Sequence, residues 1–129
     1  MARKKILIQS NIPVSITART NNKNWFELPM DEVWDIYSEH LYYLRHVYNV
    51  QIHSFVLMSN HFHLIATFPE MNMAVAMNRF MRETSRTINS LCAKTNHLYG
   101  GRFFRTALDS YYYYCIAYKY VYRNPVRAG

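Results

Sequence analysis

Val50-Gln51-Ile52-His53-Ser54-Phe55-Val56-Leu57-Met58, then Ser59-Asn60, then His61-Phe62-His63-Leu64-Ile65-Ala66-Thr67-Phe68 is the stretch from which the fold can be read. Two runs rich in β-branched and aromatic residues flank a short turn signal, and Pro69 closes the second, which predicts a strand pair. Side chains alternate across a strand. In the first strand Val50, Ile52, Ser54, Val56 and Met58 should therefore share one face, with Gln51, His53, Phe55 and Leu57 on the other. In the second, Phe62 and Leu64 should enter the core while His61 and His63 project together from the opposite face.

Outward from this pair the pattern is regular. Upstream, Pro13 is followed by Val14, Ile16 and Ala18 alternating with Ser15 and Thr17, which predicts a strand beginning near Val14. Thr20 to Asn24 is a polar loop. Asp31 is placed to cap a helix running to about Tyr48, with Val33, Trp34, Tyr37, Leu41, Leu44 and Val47 at helical spacing. Downstream, a helix is expected over about Met73 to Lys94, with an apolar stripe of Val75, Phe80, Met81, Ile88 and Leu91. Gly100-Gly101 breaks the chain, residues 103–109 read as a strand, and a Tyr-rich helix runs from Ser110 to Asn124, ahead of Pro125. Strand, helix, strand, strand, helix, strand, helix is an α+β, ferredoxin-like split βαβ order with one extra C-terminal helix. Such an order predicts an antiparallel sheet with helices covering one face.

The 129 residues are half hydrophobic and carry few glycines and prolines, which predicts one domain over residues 1–129. No apolar run approaches the ~18 residues of a membrane span, and no secretory leader is evident, so a cytoplasmic protein without membrane contact is expected. Cys92 and Cys115 fit neither a disulfide framework nor a paired metal motif. Fifteen Lys and Arg against eight Asp and Glu give a net charge of +7, which suits a polyanionic partner or a basic surface kept for solubility. Twelve Tyr, seven Phe and two Trp supply rings that stack bases or fill the core.

The chemistry-bearing residues lie on the second strand and the last helix. Two neutral imidazoles side by side form half of a divalent metal site, although His pairs at this spacing are also common as ordinary surface or half-buried residues. Tyr120 and Asn124 lie one helical turn apart, a phenol that can act as a nucleophile beside a hard amide ligand suited to Mg²⁺ or Mn²⁺. Tyr113 sits on nearly the same face and is a rival to Tyr120. Arg79, Arg82 and Arg86 form either a phosphate track or a solvated helix face. Arg102 and Arg105 adjoin the glycine turn, where backbone can approach a ligand. Trp25 and Phe26 are placed to stack a base or to be buried, and Arg3, Lys4 and Lys5 form a basic N-terminal cluster that can grip a DNA backbone.

Val56 to Ile65, Met77-Asn78-Arg79-Phe80-Met81, His97 to Phe103 and Tyr120-Val121-Tyr122-Arg123-Asn124-Pro125-Val126-Arg127-Ala128-Gly129 together resemble the single-tyrosine transposases of bacterial insertion sequences, whose mark is a His-hydrophobic-His strand. The resemblance is greatest to the REP-associated tyrosine transposases. It implies that His61, His63 and Asn124 hold a divalent metal, Mg²⁺ or Mn²⁺, and that Tyr120 rather than Tyr113 is the nucleophile. It implies cleavage and rejoining of single-stranded DNA beside a hairpin or palindromic repeat, through a 5′-phosphotyrosyl intermediate. It also implies that the N-terminal basic cluster helps read bases beside the hairpin. Family members occur as homodimers and as monomers, and REP-associated ones usually continue beyond the Ala-Gly at which this chain stops, at Gly129. Two other functions fit the same residues: a domesticated hairpin-binding protein without cleavage activity, and an RNA-processing or replication-initiator nuclease with paired histidines.

Overall fold

The computed structural model describes residues 10–21, 26–92 and 98–108. The expected C-terminal helix, with Tyr113, Tyr120 and Asn124, lies outside the described residues, as do Arg3, Lys4, Lys5, Trp25 and Cys115.

Pro13 opens β1 (Val14–Arg19), which leads through α1 (Met30–Val47) to β2 (Gln51–Leu57). The turn at Ser59-Asn60 leads into β3 (His61–Thr67), followed by α2 (Met73–Leu91) and β4 (Phe104–Ala107). The sheet order is β2-β3-β1-β4, and every neighbouring pair is antiparallel. Each helix thus carries the chain past one intervening strand, α1 over β3 and α2 over β1, which is the interlocked split βαβ arrangement expected from the sequence. Among the described residues no helix is long and apolar enough to cross a membrane.

Val14, Ile16 and Ala18 of β1 and Phe62, Leu64 and Ala66 of β3 form the face on which both helices pack. At its centre Tyr37, Phe62 and Phe80 meet with ring centroids 5.5–5.7 Å apart. Tilted and edge-on geometries of this kind favour the ring quadrupoles beyond simple burial. The Tyr37 hydroxyl donates to Tyr99, Tyr99 Oη donates to Thr84 Oγ1 at 2.7 Å, and Thr84 Oγ1 donates to the Phe80 carbonyl at 2.8 Å. This directional chain satisfies three hydroxyls inside the core and ties the Leu98–Gly101 loop to α2. Burial pushes the Tyr99 phenol up to about 12. The same loop adds to the end of β1, with Gly100 N–H donating to the Arg19 carbonyl and Asn21 N–H to that of Leu98.

The structure corrects four expectations. Asp31 does not cap α1: Pro29 occupies the cap position without a side-chain bond, and Asp31 sits in the first turn, where its charge favours the helix dipole. Strict alternation fails in β2, because the register slips between Ile52 and Ser54 and leaves His53 as the extra residue of a bulge. Beyond it, Phe55 and Leu57 join Ile52 against the helix-side core, while Val56 turns to the other face beside Ile65 and Leu108. The buried stripe of α2 is Met73, Ala76, Met77, Phe80, Thr84 and Ile88, whereas Val75 and Leu91 are exposed and the helix ends at Leu91, short of Lys94. In α1, Trp34 and Val47 are exposed and Ile36 is buried instead.

The two α2 assignments are separable by mutation. Phe80→Ala should lower unfolding free energy by about 3–5 kcal/mol in a urea titration, as truncated core aromatics do. Val75→Ala should stay within about 0.5 kcal/mol of wild type. Equal costs would contradict the observed stripe.

Candidate active site

β3 is an inner strand, and the period-2 alternation that drives Phe62 and Leu64 into the helix-side core places His61 and His63 on the opposite face, where His61 is half-buried and His63, with its Nε2, is buried. Their rings stand edge-on, with centroids 4.9 Å apart. Each ring is oriented through Nδ1. Asn60 Oδ1, an acceptor, receives the His61 Nδ1–H at 2.7 Å. Thr17 Oγ1, directly across from His63 in the β1–β3 register, lies 2.8 Å from its Nδ1. A proton on both Nδ1 atoms puts both lone pairs on Nε2, the arrangement by which outer partners fix metal-ligating histidines.

Electrostatics keep the pair neutral. Partial burial and the Arg19 guanidinium, opposite His61 across the sheet, lower the His61 pKa. His63 is held at about 4, first by burial, then by His61 and Arg19. Neutral imidazoles are the form that binds a cation, so the donor chemistry of the two histidines fits a divalent metal. Two imidazoles alone do not complete a metal site, and among the described residues no group of three His, Cys, Asp or Glu could hold a metal ion. The third expected ligand, Asn124, and the expected nucleophile, Tyr120, lie outside the described residues.

The expected DNA contacts divide into three sets. Arg82, Arg86 and Arg102 line a groove of about 610 Å³ with Ser85, Gly100 and Gly101. A Cβ on Gly101 would meet nothing within 4 Å, so bare backbone is exposed there without any need for positive φ. Glu83 Oε1 lies 3.3 Å from Arg82 Nε and 3.5 Å from Arg86 Nη1, a pair of exposed contacts of little energetic weight. Arg79 departs from this track: its guanidinium carbon lies 3.8 Å above the Tyr43 ring of α1, a cation–π contact within the helix layer. Arg105 departs as well. It pairs with Ile16, which puts it on the helix side of β4, and its Nε is buried. Phe26 is buried in the core, which settles its alternatives in favour of packing.

Sequence reasoning missed Arg19, Thr17 and Asn60. Arg19 and Thr17 share the alternating face of β1, but only the β1–β3 register brings them to the histidines. Asn60 reads in sequence as a turn residue alone, yet its side-chain Oδ1 orients His61.

A family model described as "Transposase IS200 like" matches residues 9–124. Among solved structures, a REP-associated tyrosine transposase bound to a REP hairpin aligns with a TM-score of 0.78 at 19% identity, over 100% of this chain and 75% of that one. A putative transposase from Deinococcus radiodurans R1 aligns with a TM-score of 0.61 at 11% identity, over 95% of this chain and 97% of that one. At such identities the two structures attest the fold. No curated protein matches the chain.

The histidine environment makes a prediction for pH. In an NMR titration His63 should keep its neutral form down to about 4, and Arg19→Gln should move that midpoint upward. Because an unfolded histidine titrates near 6.5, the contribution of His63 to stability is complete above that value. It should fall as pH drops from about 6.5 towards 4. A His63 midpoint at its ordinary value would contradict the described packing.

Proposed function

Since the chain belongs to the IS200-like transposase family, we propose that it cleaves and rejoins single-stranded DNA beside hairpin or palindromic elements, with Tyr120 as nucleophile and His61, His63 and Asn124 holding Mg²⁺ or Mn²⁺. The observation that carries this reading is the imidazole pair set side by side on the face of β3 away from the helices, ring centroids 4.9 Å apart, with both Nδ1 atoms tied back.

A phosphodiester is anionic and repels a phenolate, and a free tyrosine carries little phenolate at neutral pH because its pKa is ~10. When bound, the metal supplies charge neutralisation at the nonbridging oxygens and orients the phosphorus for in-line attack. The chain's own residues do the rest. Thr17 and Asn60 keep the imidazoles from turning, and the Arg19 guanidinium is placed to donate to a nonbridging oxygen. The Tyr120 oxygen forms a bond to phosphorus as the bond to the 3′ oxygen breaks. The phenolic proton leaves, the departing oxygen becomes a 3′-hydroxyl, and the 5′ side stays esterified to tyrosine. Rejoining reverses these changes, so the phosphotyrosine conserves the bond energy and no nucleotide cofactor enters. The groove of Arg82, Arg86 and Arg102 holds backbone phosphates outside the reacting centre. The hairpin in the related complex supports a structured DNA partner for this chain.

A denaturing gel of hairpin-bearing single strands, labelled on the 3′ side of the scission, tests the chemistry. Wild type should give a covalent protein–DNA species with Mg²⁺ or Mn²⁺ and none with EDTA. Tyr120→Phe should bind the hairpin without forming that species. An adduct from Tyr120→Phe would remove Tyr120 as nucleophile. Binding by wild type with no adduct under any metal would favour the domesticated DNA-binding reading, and cleavage of RNA would favour the nuclease one.

The groove is tested by salt. Arg82→Ala, Arg86→Ala or Arg102→Ala should each reduce the slope of log affinity against log salt by about 1, as loss of one phosphate contact does. Arg79→Ala should leave that slope unchanged, because its cation is engaged on Tyr43. The reverse pattern would displace the phosphate track from the groove.

A further inference from the structure

We propose that Phe104 is a stacking platform for the nucleobase adjoining the phosphate held at His61 and His63, an inference that rests on the DNA-binding reading above. Thr17 is opposite His63 on one side and opposite Phe104 on the other. Residues directly opposite across antiparallel strands present their side chains on the same face. Phe104, Thr17 and His63 therefore form one row across the face away from the helices, perpendicular to the strands, running from the buried His63 to the exposed Phe104. With neighbouring strands about 4.8 Å apart, the row places the Phe104 backbone about 10 Å from that of His63. A sugar and base attached to a phosphate at the histidines extend over several ångströms, which brings one adjoining base above β4.

Phe104 is 65% exposed. Among the described residues it is the one large exposed hydrophobic on a strand; the others lie on the helices or at Met71. Its neighbours on this face are the hydroxyl residues Ser15, Thr17 and Thr106, with Arg19 at the far end of β1. A short edge strand is normally kept from unwanted pairing by charge or by proline, and a bare phenyl ring there serves neither purpose. A flat apolar ring on a hydroxyl-rich face, beside a cation and two metal-competent imidazoles, is instead the combination that single-stranded nucleic acid recognises: electrostatics for the phosphates, a π-face for the base. The platform reads any base, so it contributes affinity and position rather than sequence.

The test uses the full-length protein and a hairpin oligonucleotide with single-stranded flanks, chosen from a random pool on wild-type protein, in which each flanking nucleotide is made abasic in turn. Phe104→Ala should weaken binding of the intact oligonucleotide roughly 5- to 100-fold, the range for loss of one stacked base. One abasic position should weaken wild type by a similar factor, and Phe104→Ala should have no further effect on that oligonucleotide. Phe104→Trp should restore affinity. Equal losses by Phe104→Ala on intact and abasic DNA, no loss on either, or a shift in sedimentation from dimer to monomer would overturn the proposal. The last result would assign the ring to a contact between copies. Because the readout is binding, absence of strand cleavage by wild type would defeat the nucleophile assignment while leaving this comparison intact.

Discussion

β3 must satisfy two faces at once, and the placement of the histidine pair follows from that demand. Phe62 and Leu64 are fully buried against both helices, and burying each side chain contributes roughly 1.5–3 kcal/mol. A slip of one residue would remove both from the helix-side aromatic core and drive two imidazoles into it, at a cost of about 1–3 kcal/mol for each unsatisfied polar group. The position of His61 and His63 is therefore a by-product of core packing, held as firmly as the core itself. β1 adds rotation to position, since Thr17 and Arg19 reach the same pair only because β1 lies next to β3.

Around this pair the charges are arranged for an anion. Burial first, and Arg19 after it, disfavours protonation of both rings. The same cation would oppose a bare metal ion, an opposition that a bound phosphate relieves by bringing negative charge between them. Glu83 lies between Arg82 and Arg86, its carboxylate within 3.5 Å of both guanidinium groups.

Much of this was legible in the residues. Alternation in β3, the flanking Pro13 and the helical stripes carry the element order, and the His-Phe-His run marks the face away from the helices. What escaped is what depends on register. The β2 bulge at His53 leaves no local mark, since Ile52, Phe55 and Leu57 reach one face only through their pairing with Ala66, Leu64 and Phe62. Arg79 has the same spacing as Arg82 and Arg86, yet the ring of Tyr43, one helix away, takes it out of the groove. Arg105 adjoins the glycine turn in sequence, but its opposition to Ile16 fixes it on the helix side. Val75 was placed on the buried stripe of α2 because its hydrophobicity fitted the period, whereas Thr84, a polar residue, is buried by virtue of its bond to Tyr99. In each case a contact distant in sequence decided the outcome.

The central claim is that β3 aims two Nε2 atoms at one point where a cation and a DNA phosphate meet. Crystals grown with Mn²⁺ and hairpin DNA, with the ion located by its anomalous scattering, measure this directly. The expected result is one Mn²⁺ at about 2.0–2.3 Å from Nε2 of both His61 and His63, with both Nδ1 contacts to Asn60 and Thr17 intact. Manganese bound elsewhere, or ligation through Nδ1 with those contacts broken, would contradict it.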